Sequence, residues 1–153
     1  MSGLSRGVRL GVDVGRVRIG VAACDPDGIL ATPVRTVARE TAPPPDKVPA
    51  DMVEIGCLVA EYEAVAVIVG LPVALSGRPG QAANEVTAYA HRLAEVISPV
   101  EVRMSDERMS TVVATRRLAE RGVRGRRQRA VVDQAAAVEI LQGWLDNQRR
   151  RTR

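Results

Sequence analysis

The chain has 153 residues, 46% of them hydrophobic and 26% charged, with a formal net charge of +4. That hydrophobic content argues against a disordered chain, and the length suits one domain, taken as residues 1–153, rather than two. No apolar run approaches the roughly 20 residues of a membrane-spanning helix, and Met1–Gly7 lacks a signal-peptide stretch, so the expectation is a cytoplasmic protein without membrane contact.

With no Phe, one Trp and two Tyr, the core must be built from Val, Ile, Leu and Ala. Cys24 and Cys57 lie far apart without a neighbouring His, so they read as ordinary buried thiols rather than zinc ligands. The charge is uneven. Arg116–Arg153 holds 11 Arg against Glu120, Asp133, Glu139 and Asp146, whereas residues 1–115 carry a net negative charge. Arginines gathered at one end suit a polyanion partner, because each phosphate contact releases counterions. The plainer alternative is an Arg-biased composition with a solvated tail, and the single lysine, Lys47, fits that bias.

Val8–Val14 and Val17–Cys24 alternate as two strands around Gly15-Arg16, and Ile29–Ala38 makes a third after the turn signal Asp25-Pro26-Asp27-Gly28. Thr41–Pro49 is a Pro-rich loop. Ala50–Tyr62 has helical spacing of apolar residues. Ala64–Val69 is a continuous apolar run, the pattern of a strand buried on both faces. Leu71–Gly80 reads as a loop, Gln81–Ile97 as an amphipathic helix, Val100–Met104 as a short strand and Thr111–Arg121 as a helix. Gly122–Arg129 reads as a mobile basic loop, Val131–Leu145 as a closing helix, and residues 1–7 and 147–153 as flexible tails. A meander followed by β-α units predicts an α/β fold with a mixed five-stranded sheet and helices on its faces.

Three carboxylates sit where an acid is costly unless compensated. Asp13 lies on an apolar strand between Gly11 and Gly15, residues that permit close approach of a ligand. Glu107 follows strand Val100–Met104 directly. Asp133 shares the apolar stripe of the last helix with Ala136, Ala137, Ile140 and Trp144. Each has an ordinary alternative: Asp13 bonding within the Gly15-Arg16 turn, and Asp106, Glu107 or Asp133 compensating a helix N-terminus. Converging, the three would form an oxygen-ligand site suited to Mg²⁺.

Four stretches resemble the YqgF/RuvX family. Gly11-x-Asp13-x-Gly15-x-x-Arg18-Ile19-Gly20-Val21-Ala22 resembles its opening motif, and Val69-Gly70-Leu71-Pro72 with Gly77 its central loop. Asp106-Glu107-Arg108-Met109-Ser110-Thr111 resembles its third motif. Val132-Asp133-x-x-Ala136-Ala137 through Ile140-Leu141-Gln142 resembles its closing helix. They occur in the family's order across residues 11 to 142. Val14 departs from the family where an aromatic is common, and Arg124–Arg129 uses Arg where Lys is often seen.

The resemblance implies a ribonuclease H-like fold, a nuclease acting on the 5′ end of pre-16S rRNA in ribosome biogenesis, and Asp13, Glu107 and Asp133 as catalytic, metal-binding acids. It also admits resolution of Holliday junctions. The mechanism this suggests uses two Mg²⁺ or Mn²⁺ ions roughly 4 Å apart with Asp13 bridging them. No histidine base is needed, and His91 reads as a helix-surface residue. Arg18, Arg108, Arg124, Arg126, Arg127 and Arg129 would contact the nucleic acid, a structured RNA or branched DNA, although Arg18 could equally pair with a nearby acid. Gly15, Gly70, Pro72 and Thr111 would shape the site, with a tight turn as the alternative for Gly70 to Pro72.

A sugar-kinase or actin-like ATPase lobe shares the Asp13-x-Gly15 pattern, but 153 residues leave no room for the second lobe and there is no P-loop. A non-cleaving ribosome-assembly or nucleic-acid-binding factor remains as a third reading. The sequence admits monomer or homodimer, a resolvase requiring the latter.

Overall fold

The computed structural model describes residues 4–72, 80–106 and 126–151, with side chains of the last segment from residue 131 onward. Three strands open the chain: β1 (Arg9–Val14), β2 (Arg18–Cys24) and β3 (Ala31–Ala38). They are followed by α1 (Ala50–Glu61), β4 (Ala66–Leu71), α2 (Gln81–Ile97), β5 (Glu101–Asp106) and, last, α3 (Arg126–Arg151). The strands form the expected mixed sheet in the order β3-β2-β1-β4-β5. β1–β2 and β2–β3 are antiparallel, while β1–β4 and β4–β5 are parallel, so β1, β4 and β5 end at the same edge.

Strand alternation divides the sheet into two unlike faces. Leu10, Val12, Ile19, Val21, Val67 and Val69 pack with Ile55 and Leu58 of α1 and Leu93 of α2. Ala22, Ala66 and Ile68 pack on the opposite face with Ala136, Ala137, Ile140, Leu141 and Leu145 of α3. Fully burying an aliphatic side chain contributes about 1.5–3 kcal/mol, so the first face carries much of the stabilising area. Trp144 is buried in the second cluster, as its place on the apolar stripe required.

Several boundaries differ from the sequence reading. β5 continues two residues past the expected end, to Asp106, which pairs with Leu71; whether Asp106 also starts a helix falls on residues outside the described ones. Arg126–Arg129, expected in a mobile loop, form the first turn of α3. Arg and Gln are good helix formers, and nothing after Gly125 breaks the run. The tail expected from residue 147 is helical to Arg151. There Arg149 pairs with Asp146 and donates to the carbonyl of Gly28, whose φ of +68° shapes the β2–β3 turn, and three arginines in the last turn favour the helix dipole. Cys24 is buried as expected, and burial pushes its thiol pKa up, but Cys57 is exposed on α1. The helix expected over Thr111–Arg121 lies outside the described residues.

Candidate active site on the glycine-lined face

Asp13 has the parity of Gly11, so it points to the α3 side of the sheet while Val12 and Leu10 enter the other core. Its antiparallel partner is Gly20. Directly opposed residues project to one face with their Cβ positions roughly 4.5–5.5 Å apart. A Cβ built on Gly20 would stand 2.0 Å from the backbone oxygen of Asp133 and 2.4 Å from its carbonyl carbon. The backbone of α3 at Asp133 therefore rests on β2 beside Asp13, in the space a side chain would fill.

The same device recurs along the helix. A Cβ on Gly11 would meet Leu141 Cβ at 2.7 Å and the Ala137 carbonyl at 2.8 Å. One on Gly70 would meet Ile140 Cδ1 at 2.4 Å. Gly70 is thus a β4 residue that admits Ile140, not part of a tight turn. Glycine inside a strand commonly marks such close backbone approach. Gly15 serves the β1–β2 turn instead: its N–H donates to the Arg18 carbonyl at 2.9 Å, and a Cβ there would sit 2.5 Å from that oxygen.

Asp13 is 9% exposed, and the Asp133 side chain 21%. Arg18, on the same face of β2, donates through Nε to Asp133 Oδ2 at 2.8 Å. The acid-partner alternative for Arg18 is therefore the contact observed, and it fixes the Asp133 carboxylate over the sheet. Ser105 of β5 pairs with Gly70, one row beyond Val12–Val69, and is buried on the same edge. Pro72 follows β4 at its carboxyl end. The carboxyl ends of parallel strands are the usual place for an α/β sheet to hold a ligand.

Glu107, Arg108, Thr111 and Arg124 lie outside the described residues, as do the side chains of Arg126, Arg127 and Arg129. Among the described residues no cluster of three or more His, Cys, Asp and Glu side chains forms. Asp13 and Asp133 are the two proposed acids whose placement is described, and the fold puts them on one face of the sheet. Their donor chemistry, carboxylate oxygen only, fits a hard divalent cation. His91 is exposed on α2, as expected.

Residues 7–147 match the RuvX family, described as Holliday junction resolvase. The chain belongs to this family. Its curated relatives include a protein of Rhodococcus erythropolis bearing the name "Putative pre-16S rRNA nuclease", 58% identical over 145 residues that cover 95% of this chain and 81% of the relative. A relative of the same name from Nocardia farcinica is 60% identical over 141 residues, covering 92% of this chain and 78% of its own. Among solved structures, RuvC of Thermus thermophilus in complex with a Holliday junction substrate superposes with a TM-score of 0.56 at 15% identity, covering 95% of this chain and 97% of that one. That likeness establishes the ribonuclease H-like fold. RuvX membership agrees with the four motifs read from the sequence. Among the described residues, no helix is long and apolar enough to cross a membrane.

Sequence reasoning missed two elements of this region. The seat that Gly20 makes for Asp133 was signalled only by a glycine inside an otherwise apolar strand. The second is Asp51, 1% exposed, whose Oδ2 accepts from the Tyr89 hydroxyl at 3.2 Å across α1 and α2. An acid in the first turn of a helix is common at the surface, so nothing local in the sequence signals this burial.

Proposed function

We propose that this chain is a metal-dependent nuclease that hydrolyses phosphodiester bonds at the 5′ end of pre-16S rRNA during ribosome biogenesis. The observation that carries the reading is the seating of Asp133 on Gly20, directly beside Asp13. The two acids share one face of the sheet, Asp13 nearly buried and Asp133 held by Arg18, and both offer carboxylate oxygens to a hard cation. In the proposal Asp13, Asp133 and Glu107, the residue after the end of β5, hold the ions, either Mg²⁺ or Mn²⁺, two in number and in the cytoplasm. Bound there, divalent ions supply a nucleophile at neutral pH and neutralise charge on the phosphate.

The chain's own groups position that chemistry. The Arg18–Asp133 pair holds one carboxylate in a single orientation. The rigid sheet beneath Asp13 holds the other within the tolerance that oriented catalysis demands. Arg108, Arg124, Arg126, Arg127 and Arg129 supply sequence-independent attraction for the phosphate backbone, while Gly15, Gly70, Pro72 and Thr111 shape the walls. The names of the relatives support rRNA as substrate, and the family's description supports a four-way DNA junction as the competitor.

The test is cleavage of a labelled pre-16S rRNA 5′ leader and of a four-way DNA junction, with Mg²⁺, Mn²⁺ or EDTA. Loss of several kcal/mol of metal-derived stabilisation lowers the rate by roughly 10²–10⁴-fold, which is the expected effect of Asp13→Asn or of EDTA on the RNA. Cleavage that survives both treatments overturns the metal mechanism. Cleavage of the junction alone transfers the reading to DNA, and absence of cleavage of either substrate leaves a binding factor.

A further inference from the structure

Around the β1–β2 turn from Asp13, on the side of α1 and α2, lies a cavity of about 690 Å³ that the proposed chemistry does not use. Its walls include Arg16, Arg39, Asp51, Ala88, Tyr89 and Arg92. The volume falls in the range of small-ligand sites, about 300–1,000 Å³.

A buried relay fixes one wall. Asp51 Oδ1 accepts from the N–H of Met52 at 3.0 Å, and Oδ2 accepts from the Tyr89 hydroxyl. The Tyr89 ring, itself 6% exposed, lies under the Arg39 guanidinium, whose Cζ is 5.1 Å from the ring centroid. Arg39 Nη1 donates to the Gly15 carbonyl at 2.9 Å. The guanidinium plane is therefore held by an aromatic ring on one side and by the catalytic-edge turn at its tip. A planar, immobilised cation with an aromatic backing is a stacking platform for a nucleobase, and it loses little side-chain entropy on binding.

Two further cations stand at the cavity. Arg92 is anchored by donating from Nη2 to the Lys47 carbonyl at 2.7 Å. Arg16, in the turn itself, is exposed and makes no hydrogen bond or ion pair with the described residues. Glu85 on the α2 wall adds a carboxylate, one oxygen of which accepts from Gln81 Nε2 at 3.4 Å. Arg39, Arg16 and Arg92 together offer a stacking plane and phosphate partners.

We infer that this cavity binds one unpaired nucleotide, its base stacked on Arg39 and its phosphate beside Arg16 and Arg92, as a subsite for a single-stranded stretch of the RNA acted on at Asp13. The assignment to a substrate strand rests on the nuclease reading; the stacking chemistry does not. The Gly15–Arg18 turn separates cavity from acids, so a strand leaving the acidic edge reaches Arg39 around that turn.

The experiment uses the full chain in an Asp13→Asn background with EDTA, so that RNA stays intact, and follows anisotropy of a fluorescein-labelled single-stranded RNA of about a dozen nucleotides. Ala88→Tyr fills the cavity from an exposed helix position without changing charge, and is expected to weaken binding about tenfold, the scale of one lost base stack. Arg39→Lys, which keeps the charge and removes the plane, is expected to weaken it in the same direction. Guanosine monophosphate competing with the RNA on the parent protein, but not on Ala88→Tyr, would extend the site to free nucleotides. RNA affinity unchanged in both variants, with folding verified by thermal melting, overturns the inference, as does absence of RNA binding by the parent. If Asp13→Asn abolishes cleavage while Ala88→Tyr binds normally, the subsite falls and the nuclease reading stands. If nothing is cleaved but Ala88→Tyr weakens binding, the reverse holds.

Discussion

The two faces of the sheet are built on opposite principles. Toward α1 and α2 the strands present Leu, Ile and Val, and the helices stand off on those side chains. Toward α3 they present Gly11, Gly20, Gly70, Ala22 and Ala66, and the helix backbone settles onto the strands themselves. The first arrangement buries apolar area. The second gives up area and gains position, because a helix resting on a backbone has little freedom to slide. The acids are on the second face, where a small displacement would matter most to a reaction.

The sharpest probe of this contrast compares Gly20→Ala with Leu93→Ala. Adding a methyl at Gly20 forces the Asp133 carbonyl away, and overpacking of this kind costs about 1–3 kcal/mol, a fall in Tm of roughly 2–12 °C for a chain of this size. Leu93 is fully buried against the other face, and its truncation costs about 2–5 kcal/mol. The stabilities fall comparably, but rates diverge: Gly20→Ala is expected to lose roughly 10²-fold in cleavage through misplacement of Asp133, while folded Leu93→Ala keeps the parent rate. Equal rates for the two variants would break the division of labour between the faces.

A smaller effect concerns the polar relay on the area-rich side. Burial, followed by the charge of Asp51, raises the Tyr89 pKa above its ordinary value. In the unfolded chain this phenol ionises near pH 10, whereas in the folded chain it stays protonated. Its contribution is whole below that pH and is lost as pH rises through the alkaline range. Thermal melts of the parent should therefore fall off above about pH 10 more steeply than those of Tyr89→Phe. At neutral pH Tyr89→Phe should cost about 1–3 kcal/mol, because the buried Asp51 carboxylate loses a donor.

The smallest expected change is a gain. Gly56 sits inside α1, where a Cβ would meet only Ile97 Cγ2 at an ordinary 3.9 Å. Gly56→Ala should stabilise by about 0.5–1 kcal/mol through the unfolded chain's lost freedom, visible as a rise in Tm of roughly 1–4 °C. The same substitution at Gly20 and Gly56 thus carries opposite signs, and melting curves of the two variants read the difference between a packing glycine and a helical one.

Much of this architecture was legible in the chain. Period-two alternation in β1 and β2, the unbroken apolar run of β4 and the stripe Ala136, Ala137, Ile140, Trp144 each report a local surface, and local surfaces follow from local sequence. Asp13 and Asp133 stood out for the same reason: each interrupts an apolar pattern. The start of α3 was not legible, because the arginines from Arg126 to Arg129 fit a helix and a basic loop equally well. Cys57 misled because a thiol's burial is set by which side of α1 faces the sheet. Asp51 escaped because its partner, Tyr89, lies on a different helix.

What the residues alone determined is therefore the set of segments, their apolar faces and which acids are out of place on them. Only the tertiary structure decided that Asp133 rests on Gly20, and that Arg18 reaches a carboxylate 115 positions away. The physical reason is that an apolar pattern belongs to one segment and can be read along it. A missing Cβ becomes a seat only when another backbone arrives to occupy it, and that is a property of two segments packed together.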